Sequence, residues 1–159
     1  MYDYSLHFTE PSAIDSENIR TIAGAPGVQL LVYEQAVKSA NDYDNLLDDA
    51  QPIQERIENE SQRVVEVMED TGNVDEAEGS LDNVAREQRE YDGIQARAQK
   101  LVNDVMVTEN QLQQMIENPA TSDEQKDEHS RILDDLDIIR TEAERFHENA
   151  AAIDNWVNQ

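Results

Sequence analysis

Between Arg131 and Val157 the chain reads RILDDLDIIRTEAERFHENAAAIDNWV, with apolar residues at steps of four, then three. Ile132, Leu136, Ile139, Ala143, Phe146, Ala150, Ile153 and Val157 all fall on this seam. A repeat averaging 3.5 residues lines one side of an α-helix. A helix with one apolar stripe must bury it against another element, so the pattern already implies partner helices.

Two further segments carry the same repeat. In the second long segment Ala77, Val84, Tyr91, Ala98, Val105 and Leu112 recur every seven residues, with Leu81 and Val102 on the companion row. In the first, Tyr33, Ala40, Leu47, Gln54, Ser61 and Met68 form one row, and Ala36, Tyr43, Ala50, Ile57 and Val64 the other. Turn-rich breaks separate the segments: AGAPG at 23–27, DTGN at 70–73 and NPATSD at 118–123. Helices are therefore expected over 28–69, 74–117 and 122–157, each roughly 55–65 Å long at about 1.5 Å per residue. Long helices of similar length on short loops predict an all-α fold: an antiparallel three-helix, coiled-coil-like bundle over 28–159. The seam residues expected inside it are Leu47, Ile57, Val64, Leu81, Val84, Tyr91, Val105, Leu112, Ile132, Leu136, Ile139, Phe146 and Ile153.

The helix ends carry matching chemistry. Ser122 followed by Asp123 and Glu124 places a capping hydroxyl and two acids where the helix dipole favours them. Gly72 stands where a left-handed residue closes a helix. Pro52 lies inside the first long pattern, so a kink, or a break near 49–51, is expected there.

Residues 1–27 differ. In MYDYSLHF the residues Tyr2, Tyr4, Leu6 and Phe8 alternate with polar ones, a period of two that favours an extended arm. Such an arm suits docking on a neighbouring molecule, with folding back over its own bundle as the alternative. PSAIDSENIRTIA, 11–23, reads as a short helix with Ile14, Ile19 and Ile22 near one side, and AGAPG as a corner.

Charge narrows the partners. There are 36 acids against 12 bases, a net charge of −24, and only three of the bases are lysine (Lys38, Lys100 and Lys126). Self-repulsion on this scale opposes a compact state in dilute buffer, and molar salt removes it. The acid-rich, lysine-poor composition resembles that of proteins from halophilic archaea and their viruses. Nucleic-acid backbones and anionic membranes would be repelled. No run of 18 apolar residues is present, so no membrane span is expected. MYDYSLHFTE has neither a basic nor an apolar stretch of the secretory kind, so no export signal is expected. With no cysteine, disulfides and thiolate chemistry are excluded.

Candidate chemistry is sparse. Glu144 and His147 make one E-x-x-H pair, but a di-iron bundle needs a second copy, and Lys126 stands where that glutamate would precede His129. His129 lies one step before Ile132 on the seam, and Asp127 and Glu128 are expected to favour its imidazolium. Gln54, Ser61, Gln88, Gln95 and Glu109 interrupt the seam, and Gln88 or Gln95 is expected to reach the Tyr91 hydroxyl. No nucleophile motif, phosphate loop or calcium loop occurs. No catalytic, cofactor or metal residues are therefore assigned.

The functional expectation is a non-enzymatic structural or assembly protein, a helical spacer with a docking arm (Tyr2, Tyr4, Leu6, Phe8). Its partners would be proteins or further copies of itself, in the cytoplasm of a halophilic host or in a virion, as a tail, neck or capsid-associated part. The alternatives are an acidic mimic of nucleic acid that inhibits a DNA-binding protein, and a helical chaperone or adaptor.

Overall fold

The computed structural model describes residues 5–27 and 30–159. The expected helix start at Val28 and the arm residues Tyr2 and Tyr4 lie outside them. Four α-helices follow in order: α1 (Glu17–Ala23), α2 (Leu31–Thr71), α3 (Glu78–Glu117) and α4 (Asp123–Val157). A 3-10 turn, Val74–Ala77, leads into α3. Among the described residues there is no strand.

The long helices form where the heptad repeat runs, and they stop for local reasons. Gly72 takes φ 66° at the end of α2, and its N–H returns to the Met68 carbonyl. At the start of α4 the Ser122 hydroxyl accepts from Gln125 N–H, and the Gln125 side chain accepts from Ser122 N–H. This reciprocal cap satisfies two donors that the helix leaves open. Pro52 does not break α2: the helix is continuous from Leu31 to Thr71. Proline deprives the Asp48 carbonyl of its usual donor, and both residues are exposed, so water is available to that carbonyl.

Cross-helix contacts fix the directions. Asp49 meets Arg97 at 2.8 Å, Gln54 meets Tyr91 at 3.1 Å and Arg56 meets Glu87 at 3.0 Å, so numbers fall along α3 as they rise along α2. Glu109–Arg140, Gln95–His147 and Gln88–Asp154 show the same antiparallel sense for α3 and α4. Helices α2 and α4 therefore run parallel, with Tyr33 and His129 meeting near their N-terminal ends.

The core is one continuous cluster along the bundle. Leu47, Ile57, Val64, Val84, Tyr91, Val105, Leu112, Ile132, Leu136, Ile139, Phe146 and Ile153 are buried in it, and Leu81 is half-buried against it. Gln54 and Ser61 are also buried. In α3 burial extends to Ile94, Leu101 and Thr108 as well as Val102. These lie on both sides of the Val84–Tyr91–Val105 row, because α3 packs against α2 on one side and α4 on the other. Ile19 and Ile22 of α1 belong to the same core, and Leu6, Phe8 and Ile14 pack on it.

Candidate docking site

The N-terminal segment provides the most built arrangement in the molecule. Helix α1 begins only at Glu17; residues 5–15 have no regular secondary structure. Ser16 links the two with φ 52°, the one described non-glycine residue at positive φ. That conformation is uncommon for a residue with a Cβ. It joins the extended segment to a seven-residue helix too short to persist alone.

The cap for that helix comes from α4. The Ser16 side chain makes no cap hydrogen bond. Instead Asp135 Oδ2 accepts from Ile19 N–H at 3.0 Å, and Asp135 Oδ1 accepts from the Asn18 amide at 3.1 Å. A carboxylate at the N-terminus of α1 satisfies an open donor and sits at the positive end of its dipole. Asp135 is buried, at 8% exposure, so it is no part of the solvated acidic face.

Two further α4 residues continue the pattern, seven and fourteen positions on. Glu142 Oε2, itself paired with Arg145, accepts from Ser12 N–H at 3.0 Å. Asn149 exchanges two hydrogen bonds with Thr9, accepting from its N–H and donating to its carbonyl, both at 2.8 Å. From α2, the Tyr43 hydroxyl donates to the Ser12 carbonyl. Three steps of backbone, Thr9 to Ser12, thus match seven residues of α4, roughly 10 Å of helix rise, which requires a nearly fully extended segment.

Side chains complete the seat. The Phe8 ring stacks on Tyr91 with centroids 6.4 Å apart and planes 23° apart. Burial pushes the Tyr91 phenol up, against opposing hydrogen bonds from Asn149 and Gln54. Gln54, rather than Gln88 or Gln95, reaches the Tyr91 hydroxyl; Gln88 bonds Asp154 and Gln95 bonds His147. The described half of the arm therefore differs from a free docking element. Leu6 and Phe8 are half-buried on the chain's own bundle, because α4 offers acceptors in register with the extended backbone.

One edge of this seat is electrostatically unfavourable. Glu10 lies with Glu55 and Glu58 around a small cleft, and burial, Glu10 and Glu55 together raise the Glu58 carboxyl. Like charges at this edge oppose the segment in dilute buffer and are screened in salt.

His129 behaves differently from the expectation. It is 1% exposed, with Nδ1 2.8 Å from the Tyr33 hydroxyl. Burial lowers its pKa, outweighing the Glu128 charge that raises it, so the neutral imidazole is favoured. The same burial, with Glu128 beside it, pushes Tyr33 up to about 12. His147 pairs with Gln95 through Nδ1, while Glu144 is exposed. Among the described residues no group of three or more His, Asp or Glu is placed to hold a metal. None of the helices there is long and apolar enough to cross a membrane.

Comparison with protein-family models, with curated proteins and with solved structures gives no match for this chain.

Proposed function

We propose that this chain is a structural or assembly protein, a rigid acidic spacer within a larger complex that works in concentrated salt. The observation that supports this most is the continuous core, which fills a bundle whose helices reach 41 residues, about 60 Å, and uses the chain's own seam from end to end. A rod that closes its own seam has length and stiffness to offer. The net charge of −24 and the shortage of lysine support a working medium of high salt. The acidic edge at Glu10, Glu55 and Glu58 favours the same medium, because salt screens the repulsion that the segment meets there. Within this reading the docking role falls to Tyr2 and Tyr4, while residues 6–19 anchor the arm. A halophilic archaeal host, or a virion infecting one, is the setting that fits.

Sedimentation and helical circular dichroism, followed from about 0.1 M to 3 M KCl, test the proposal. Helical structure gained with salt is expected. A chain fully helical and monomeric at the low end would put the nucleic-acid mimic first, with a basic protein as its target.

A further inference from the structure

We propose that the outer face of α3 from residue 103 to 114, short of the exposed Glu117, is a self-association surface, on which two copies of this chain pair through the same face. The inference rests on the spacer reading and names where spacers meet.

The face stands out by charge. From Glu78 to Lys100, α3 carries nine charged residues in 23 positions; from Leu101 to Ile116 it carries two in 16. Those two, Asp104 and Glu109, are engaged by Lys100 and Arg140. The outward stripe here is Asn103, Met106, Val107, Asn110, Gln111 and Gln114, all exposed and all uncharged. Met106 is 50% exposed and Val107 55%, high values for large apolar side chains. At the α3 C-terminal end the stripe runs into a concavity of about 500 Å³, lined by Leu30, Leu31 and Met115 with no charged residue, where Leu31 is 69% exposed.

A second copy is the occupant that charge selects. Two chains of net charge −24 repel over most of their surfaces, and contact is least opposed where neither carries charge. Burying methyl and thioether groups there is favourable, and no ion has to be desolvated. Asn and Gln each carry a donor and an acceptor, so an amide face can pair with its own copy, as a two-fold interface requires. A basic partner would leave its cations unpaired on this stripe.

The size sets the strength. Twelve residues of helix at about 1.5 Å each, by roughly 10–12 Å of width, give about 200 Å² per copy. Stable dimers bury about 800 Å² per partner. The pair is therefore weak alone and gains through repetition in an assembly.

Sedimentation velocity in about 3 M KCl, from about 10 μM to 1 mM chain, tests this. The wild-type coefficient should rise with concentration towards a dimer. Met106→Glu and Val107→Glu should weaken association roughly tenfold or more, because each buries a carboxylate on both sides of the two-fold. Gln62→Glu, on the exposed side of α2 and away from the stripe, should sediment as wild type. Circular dichroism of each variant should match the parent. A wild-type chain that stays a helical monomer throughout overturns the inference and leaves the spacer reading standing. Dimers that persist in both stripe variants also overturn it, since the interface then lies elsewhere. A chain without helix at this salt would remove the spacer reading and this one together.

Discussion

Helices α2, α3 and α4 satisfy their own backbones and meet through apolar side chains. Residues 6–19 depend on their neighbours for both. The segment's N–H groups at Thr9, Ser12 and Ile19 find acceptors in α4 side chains, and its Phe8 ring stacks on Tyr91. The difference teaches how one molecule combines a stiff part with a releasable one. A seam of fully buried residues opens only with the whole bundle. The polar anchors at Thr9 and Ser12 can open locally, because the helices beneath keep their own hydrogen bonds, whereas Ile19 is held in the core.

The sharpest way to break the comparison is in the seam. Phe146→Ala removes a ring at 0% exposure and should cost about 3–5 kcal/mol, read as a lower midpoint in denaturant titration at fixed high salt. Segment and helices should then unfold together. Asp135→Ala should cost about 1–3 kcal/mol, since it leaves the Ile19 N–H and the Asn18 amide without their acceptor. Its signature is local: faster amide exchange over 17–20, with exchange in α3 little changed. Should α3 loosen equally, the segment is no separate unit.

Titration probes one end of the bundle, where Tyr33 meets His129, from both sides of neutrality. His129 has its folded pKa below the ordinary 6.5, so its stabilisation is complete above that value and is lost as pH falls through the folded one. Tyr33 is raised to about 12, so its contribution is complete below 10.0 and is lost as pH rises through about 12. The difference in melting between His129→Gln and wild type should therefore be constant near neutrality and change on the acidic side. The smallest effect sharpens the comparison from the helical side. Gly93 of α3 has open space where a Cβ would stand, and Gly93→Ala should stabilise by about 0.5–1 kcal/mol without touching the segment. Chemical denaturation reads the gain, and amide exchange at Thr9 and Ser12 should stay as in wild type.

The partners of individual polar residues were the least legible part of the sequence. Asp135, Glu142 and Asn149 sit one residue before Leu136, Ala143 and Ala150 of the seam and look like the start of the solvated face. The one hint is that Asn149 is an amide in a row that is otherwise acidic through Glu128, Asp135 and Glu142. The Tyr91 hydroxyl went to Gln54, a residue 37 positions away, and not to the glutamines on its own helix. His129 lost its proton preference because burial outweighed its charged neighbours.

Three long helices, their turns at Gly72 and Ser122, and nearly every seam residue follow from the sequence, because periodicity and capping are local and the cost of exposing an apolar stripe is paid along every turn. Which α4 side chain faces which backbone amide of residues 6–19 depends on the relative register of separate elements. No local repeat encodes that register, so the cap on α1, the seat of Phe8 and the neutral His129 were decided only when the helices packed.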